Sequence, residues 1–304
     1  MREDKANKKI NWCDFECTLG ELIKKGYVST ELDVALSEIR DMFVMFLNDT
    51  VDSNVLIQMS KDAEENKWGI TSLSKFLGDL SETDYCNLGF AKRTDHYDLY
   101  NYLFINFNYT SLFDNYIYLD RNQFVPNRYK TIDTNFSFWP NPNGYSGNVS
   151  NEKTVWSSYI MTNTIHPHGY QNIPRSLLFG IEDEKYLSNK ELNRFNKSYW
   201  AQNDKKYAKY FDDASLFVIY GASISETDSW WWKKVYGCLL EGKSELIIYY
   251  YNIGLDCEHV KQIFIDACKI TTTKMEIESV KEKIYVVLYE DGNENILFAM
   301  NSKK

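Results

Sequence analysis

The sequence contains no hydrophobic run that approaches the roughly 20 residues needed to cross a lipid bilayer. Its N-terminal residues, Met1 to Lys9, are charged and polar, so they lack the apolar core of a signal peptide. The 34 basic residues are outnumbered by 43 acidic ones, which gives a formal charge of −9. A general nucleic-acid binder usually has an excess of positive charge, and this chain does not. We therefore expect a cytoplasmic protein without membrane contact and without general nucleic-acid binding.

Cysteine is also scarce, with six residues scattered over the 304 of the chain. Cys13 and Cys17 are one residue too far apart for a Cys-x-x-Cys pair, and no second pair follows at zinc-ribbon spacing. We therefore predict reduced thiols and no structural zinc. The acidic groups at 182–184 and 212–213 are interpreted as solvated turns, because neither is the carboxylate cluster that a metal-dependent nuclease requires.

The first third of the sequence is predicted to be helical. Between Leu32 and Leu47, apolar residues recur every three to four positions, which is the spacing of an amphipathic helix. Thr30 precedes this stretch and is suited to cap the helix N-terminus. A second helix is predicted over 71–80. We therefore expect a helical N-terminal region, residues 1–95, and an α/β core, residues 96–304, in one compact unit.

The core has the pattern of an α/β protein. Three apolar runs predict strands, at 99–108, 158–162 and 176–180. A helical stretch follows them at 189–210. Strand and helix patterns then alternate at 216–220, 225–240, 245–251 and 258–270. This alternation indicates a mostly parallel sheet flanked by helices. A C-terminal β-hairpin is predicted from two further apolar runs and the Glu-Asp-Gly-Asn turn between them, at 283–289 and 295–300.

Residues that directly follow a predicted strand are candidates for a functional site, because ligands of open α/β sheets bind outside the carboxyl ends of the strands. Three such segments contain Asn106, Asn108 and Thr110; His166, His168 and Gly169; and Gly221, Ser223 and Asp228. Each also has an ordinary structural explanation. An asparagine pair often caps a helix, two histidines are only half of a metal site, and a Gly-x-Ser turn needs no ligand, although its free N–H groups suit a phosphate.

The order of these segments is more specific than any one of them. The ordered set resembles the bacterial abortive-infection AbiH family and consists of Asn106-Phe-Asn-Tyr-Thr110, His168-Gly169, Leu178-Phe-Gly-Ile181, Phe195-Asn-Lys-Ser-Tyr199 and Ile219-Tyr-Gly-x-Ser-Ile-x-x-x-Asp228. An early segment, Trp12-x-Asp-x-Glu16-x-x-Leu19, is similar to one in that family as well. The resemblance extends over 10–252 and implies a sirtuin-like, Rossmann-type fold.

The resemblance implies chemical roles for two residues. Asn108 matches the asparagine of the sirtuin Thr-Gln-Asn-Ile-Asp motif, and His168 looks like the catalytic histidine. Defence relatives of this fold use such a pair to hydrolyse NAD through an oxocarbenium-like state. An asparagine amide can orient a water or a ribose hydroxyl, and a histidine can accept a proton near neutral pH. The resemblance thus implies an anti-phage defence protein that binds, and is a candidate to hydrolyse, NAD or a related nucleotide without a metal ion.

The other candidates are assigned to the nucleotide pocket. Gly221 and Ser223 look like the later glycine-serine turn that touches the nucleotide, and Thr110 falls where the sirtuin motif has Asp. The predicted cofactor-binding residues are Asn106, Thr110, His166, Gly169, Gly221, Ser223 and Asp228.

Two features depart from the family pattern. No strand with a Gly-Asn-Gly-Phe-Asp loop, which would cradle the pyrophosphate, precedes the Trp12 segment, and Ala222 stands where the family often has His. Three explanations stay open: a second chain or a second copy donates the strand, residues 99–107 and their neighbours close the gap, or the protein is an inactive relative. The alternative function is a non-catalytic sensor or regulatory subunit of a defence complex, which responds to a phage-derived trigger.

Overall fold

The computed structural model of the chain describes residues 12–27, 30–93, 98–123, 138–139, 159–182, 190–251, 254–290 and 296–298. Helices come first along the chain: α1 Trp12–Lys24, α2 Thr30–Thr50, α3 Ser53–Asn66, α4 Trp68–Lys75, α5 Glu82–Asn87 and α6 Gly89–Lys92. Those that follow the first strand are α7 Leu112–Ile117, α8 Lys197–Trp200, α9 Asn203–Lys206, α10 Lys209–Asp212, α11 Ser229–Leu240, α12 Cys257–Ala267 and α13 Lys274–Lys281. The strands are β1 Leu99–Ile105, β2 Tyr159–Ile165, β3 Leu216–Tyr220, β4 Glu245–Tyr251 and β5 Ile284–Tyr289.

Local sequence signals explain where several helices begin. The carboxylate of Asp52 accepts a hydrogen bond from the backbone N–H of Val55 and so caps α3. At α13, Thr273 and Glu276 form a reciprocal capping box. Helix α2 covers the predicted amphipathic stretch and buries Val44 and Leu47. Among the described helices, none has both the length and the apolar character that a bilayer-spanning helix needs.

The strands form two small parallel sheets rather than one. Strands β1 and β2 pair from Leu99↔Tyr159 to Ile105↔Ile165. The second sheet has the order β3-β4-β5, and both of its pairs are parallel. Mixed α/β architecture with parallel sheets flanked by helices is therefore confirmed, whereas the single sheet that we expected is divided in two.

The two sheets share a hydrophobic core on each face. Along β4, Leu246 and Ile248 pack against α11, α12 and α13, and Ile247 and Tyr249 pack on the opposite face against α4 and the segment that follows it. Residues of β1 contribute to both clusters as well. Alternation of apolar side chains on both faces is typical of a parallel sheet that is buried between helices. In the part of the chain that the structure describes, no strand joins β1 to β3.

The predicted strand at 176–180 is wrong. Pro174–Ser176 forms a turn of 3₁₀ helix, and the N–H of Leu178 bonds to the carbonyl of His168 at 2.9 Å. The N–H groups of Ser176 and Leu177 bond within the same turn, to the carbonyls of Ile173 and Pro174, so no strand ladder forms. The predicted strand at 158–162 lies within β2 except for residue 158, which is outside the described residues, and β2 continues to Ile165.

Two C-terminal predictions also differ from the structure. The helical stretch predicted over 189–210 is divided into α8, α9 and α10, and Gln202, between α8 and α9, has a left-handed backbone with φ of 56°. In place of a hairpin, β5 pairs parallel to β4, and residues 296–298 are not in a strand. The carboxylate of Asp79 accepts the N–H groups of Leu297 and Phe298, which holds this segment against the N-terminal helices. The rest of the predicted hairpin, 291–295 and 299–300, lies outside the described residues.

Removal of a core side chain from β4 should destabilise the whole α/β unit. We expect Ile248→Ala to lower the free energy of unfolding by about 3 kcal/mol, because Ile248 is completely buried and its truncation leaves a cavity. Urea denaturation followed by circular dichroism measures this loss. The matched control is Ile57→Ala on α3, where the side chain is exposed and the change should stay below about 0.5 kcal/mol. Equal losses in the two variants would contradict the assigned core.

Candidate functional site

The carboxyl ends of β1 and β2 bring two of the three candidate segments together. Ile105 and Ile165 are paired at the ends of the two strands, and the N–H of Asn106 continues the pairing by bonding to the carbonyl of Ile165 at 2.9 Å. The chain then leaves both strands at the same point. The loop that begins at Asn106 and the loop that begins at His166 are therefore neighbours.

Asn106 organises the first loop from a buried position. Its side-chain oxygen accepts the N–H of Asn108 at 3.0 Å, and its amide nitrogen donates to Asp114 Oδ2 at 3.1 Å. The carbonyl of Thr110 lies 3.5 Å from the same nitrogen. Asn108 itself is exposed, and no residue in the described ranges hydrogen-bonds to its side-chain amide. Asn106 is thus a loop organiser, while Asn108 has a side chain available to a ligand.

His166 is held between two acceptors. Its Nε2 lies 2.9 Å from Asp114 Oδ1 and its Nδ1 lies 3.3 Å from the carbonyl oxygen of Asn108. Burial lowers the pKa of His166, but the hydrogen bond and charge of Asp114, together with the Asn108 carbonyl, outweigh burial and raise it overall. Both ring nitrogens can donate only in the imidazolium form, so this geometry favours a protonated His166.

An open cleft lies beside this pair. It has a volume of about 390 Å³, which is in the range of small-molecule sites, and several of its lining residues carry hydroxyl, carboxylate or imidazole groups. Besides His166 and Asp114, the cleft is lined by Ser111, Thr164, Gly169, Tyr170 and Ser176. Gly169 has φ of 79°, and a Cβ there would lie 2.1 Å from the carbonyl oxygen of Ser176, so only glycine fits at this turn.

His168 points into a different environment. Its side chain is buried, its ring lies 5.0 Å from the ring of Phe107, and its Nε2 is 3.1 Å from Asp228 Oδ1. No other hydrogen-bond partner of the His168 ring is found among the residues that the structure describes, which leaves Nδ1 without one. The His168–Asp228 pair connects the end of β2 to the N-terminus of α11.

Lys197 extends this pair into a buried ionic network. Its Nζ lies 3.3 Å from Asp228 Oδ1 and 2.8 Å from Glu16 Oε1, and the side chains of Lys197 and Glu16 are each only 4% exposed. Burial lowers the pKa of Lys197, but Asp228 and Glu16 outweigh it and raise that pKa overall. Burial raises the pKa of Asp228, but the charges and hydrogen bonds of Lys197 and His168 outweigh burial, so the pKa is lowered overall. Asp228 is therefore an ionised acceptor for His168.

Glu16 and Lys197 were not predicted as site residues. Both fall in segments that carry the family resemblance, the Trp12 segment and the Phe195–Tyr199 segment. The signal that would have found them is the rarity of a completely buried lysine, which requires a carboxylate partner. That burial cannot be seen in one sequence, and the two partners are separated by 181 positions.

The third candidate segment connects β3 to the network. Gly221 has φ of 62°, and a Cβ at this position would meet no atom within 4 Å, so the turn borders open space. Ser223 is exposed, and the chain then reaches Asp228 through a short 3₁₀ turn, Glu226–Asp228. Asp228 joins this segment to His168, but no hydrogen bond from Gly221 or Ser223 to the β1 and β2 loops is found in the described ranges. No group of three potential metal ligands is present among those residues either.

The chain was compared with known protein families. The family described as Bacteriophage abortive infection AbiH matches residues 1–250, which is most of the chain. The chain therefore belongs to the AbiH family, and this membership supports a role in bacterial abortive-infection defence. Comparisons with curated proteins and with solved structures find no match.

The His166–Asp114 pair should make stability depend on pH. Because the pKa of His166 is raised in the folded state, the pair contributes fully below the unfolded value of about 6.5 and is lost as the pH rises through the folded pKa. We expect the stability difference between wild type and Asp114→Asn to be larger at about pH 6 than at about pH 9. Urea denaturation at both pH values, with NMR titration of His166, measures it; a difference independent of pH would contradict the pair.

Removal of the buried lysine charge should be costly. Lys197→Met leaves Glu16 and Asp228 without their shared cation, and we expect a loss of about 3 kcal/mol in the free energy of unfolding. Adding Glu16→Gln should recover part of this loss, because it removes one of the unpaired charges. The matched control is Lys25→Met, since the Lys25–Glu21 pair is exposed and 3.8 Å apart. No recovery in the double variant, measured by urea denaturation, would refute the network.

Proposed function

We propose that this AbiH-family defence protein binds NAD or a related nucleotide at the ends of β1, β2 and β3, and that it hydrolyses the glycosidic bond to nicotinamide. The observation that carries the proposal is the buried chain of contacts from Glu16 through Lys197 and Asp228 to His168. A buried ionic network that ends on a histidine is expensive to assemble, and its placement at the ends of parallel strands is typical of a functional site.

The network supports His168 as a general base. Asp228 accepts the proton on Nε2, so the lone pair of the neutral ring lies on Nδ1, for which no described partner competes. Lys197 keeps Asp228 ionised, and the ionised carboxylate stabilises the imidazolium that forms when His168 accepts a proton. In this arrangement Asp228 acts as a positioning residue and not as a direct nucleotide ligand.

The proposed reaction is hydrolysis of the bond between nicotinamide and ribose. A water molecule attacks C1′ of the nicotinamide ribose and loses its proton to His168 Nδ1, while the C1′–N1 bond to nicotinamide breaks. The electron pair of that bond neutralises the pyridinium nitrogen, and the products are ADP-ribose, nicotinamide and a proton. The exposed amide of Asn108 is suited to orient the water or a ribose hydroxyl.

Two further features support binding of a nucleotide. The cleft beside His166 has room for a ligand of nucleoside size, and its hydroxyl and carboxylate groups suit the hydroxyls of a sugar. The turn from Gly221 to Ser223 borders open space at the end of β3, where free N–H groups can receive a phosphate oxygen. We propose that the two loops hold opposite ends of one ligand.

A second polypeptide is proposed to complete the sheet. In the described part of the chain, β1 pairs with β2 and β3 pairs with β4, and no described strand lies between β1 and β3. A strand donated by another protein or by a second copy would join the two sheets. This part of the proposal predicts a partner for the active form.

Nicotinamide release tests the proposed reaction. The purified chain is incubated with NAD, alone and after co-purification with proteins encoded beside it, and products are separated by chromatography. We expect release to fall at least about 100-fold in His168→Gln, which can still donate a hydrogen bond to Asp228 but cannot act as a base. Asn108→Ala should lose activity as well. The matched control is His259→Gln, because His259 is exposed on α12 and should not affect the reaction.

Each outcome decides between the open alternatives. Release by the isolated chain as a monomer supports the hydrolase and contradicts the need for a second polypeptide, whereas release only with a partner, or only by a self-associated form, supports both. No release under either condition overturns the hydrolase and favours the non-catalytic sensor, and calorimetry with NAD then tests whether nucleotide binding is retained. Full activity in His168→Gln would show that the assigned base is wrong.

A further inference from the structure

Helix α2 exposes large apolar side chains on one face. Val34, Met42, Met45 and Phe46 are 58%, 62%, 67% and 59% exposed, respectively. At 100° per residue these four positions fall within about one third of the helix circumference. The opposite face of the same helix packs onto the protein through Val44 and Leu47. Helix α2 is thus apolar on two faces, of which one is buried and the other is exposed.

Acidic side chains flank the part of this face that Met42, Met45 and Phe46 form, since Glu38 separates Val34 from Met42 and Asp49 lies one turn beyond Met45. Helix α2 contains five acidic residues and one basic residue, Arg40. Glu38, Asp41 and Asp49 are exposed and lie on the same side as the methionines. Arg40 is located towards the packed face, where it bonds to Ser37 and lies 3.8 Å from Asp41 Oδ1, so the negative charge of this face comes mainly from Glu38 and Asp49. The face therefore combines flexible apolar side chains with a negative border.

We infer that this face of α2 docks a cationic amphipathic helix of a partner protein. Methionine and phenylalanine side chains adapt to an apolar helix face, and the carboxylates around them select lysine and arginine at the margins. The negative border argues against a second copy in a symmetric contact, because the same acidic faces would meet each other. It also argues against an anionic lipid surface, which would be repelled.

The packed side of α2 contacts the candidate site. The ring of Phe43 lies 5.2 Å from that of Tyr109, the residue after Asn108, in an edge-to-face arrangement. Phe43 also stacks on the exposed Phe46 at 6.3 Å. A partner helix that contacts Phe46 is therefore connected to the loop that carries Asn108 through the rings of Phe43 and Tyr109.

Peptide binding to the full chain tests the docking surface. The probe is a fluorescent helical Leu/Lys peptide of about 18 residues, which spans about 27 Å and is comparable with α2. We expect saturable binding by fluorescence anisotropy, weakened by added salt, and at least about tenfold weaker binding in the triple variant Met42→Ser, Met45→Ser, Phe46→Ser. The matched control is Met275→Ser on α13, which removes a methionine that is 82% exposed and should leave binding unchanged.

Charge reversal gives an independent test of the same surface. Glu38→Lys with Asp49→Lys should weaken binding of the Leu/Lys peptide and strengthen binding of a Leu/Glu peptide of the same length. Because all five substituted side chains are exposed, thermal unfolding is expected to be unchanged and serves as the folding control.

Three results would overturn the inference. The first is equal binding of a scrambled Leu/Lys peptide, which would indicate general attraction to an acidic protein. The second is self-association of the wild type in sedimentation experiments that the triple variant abolishes, which would make a second copy the occupant. The third is co-sedimentation with phosphatidylglycerol vesicles that depends on Met42, Met45 and Phe46.

Discussion

The contact of Lys197 with Glu16 and Asp228 connects three parts of the chain that are far apart in sequence. Glu16 lies on α1, Lys197 begins α8, and Asp228 directly precedes α11 and holds His168. Burying these charges costs desolvation energy that their mutual attraction only partly offsets. A contribution to stability therefore does not explain why the network is present. Its clear consequence is positional: the helical N-terminal region, the loop after β2 and the start of α11 must assemble for His168 to be oriented.

The division of the strands into two sheets constrains how that assembly is held. Both sheets contribute to the same hydrophobic clusters, so packing on their two faces, and not strand pairing, fixes β1 relative to β3 in the described structure. The family match ends at residue 250, yet α12, α13 and β5 follow it and form much of one face of the core. The matched region of this chain therefore depends on downstream residues to bury β4.

The sequence predicted those features that local patterns determine. Helix α2 follows from its amphipathic spacing, and β3 and β4 follow from short apolar runs before polar turns, because such signals are contained within a few neighbouring residues. The strand at 176–180 failed because Leu178 pairs with the loop at His168. Within the predicted hairpin, residues 296–298 are not in a strand, because Asp79 accepts the N–H groups of Leu297 and Phe298. Likewise, Glu16 and Lys197 could not be assigned, since their burial is a property of the fold alone.

The His166-Pro-His168 segment shows how the fold separates two chemically identical side chains. Residues two positions apart need not share surroundings: His166 faces Asp114 at the cleft, and His168 faces Asp228 in the interior. Both ring nitrogens of His166 have acceptors, which stabilises its cation and removes its lone pair. His168 has one carboxylate partner and one nitrogen without a described partner, the arrangement that a base requires. If one of the two histidines transfers protons, the hydrogen bonds therefore select His168, and His166 serves to fix the backbone that carries Asn108.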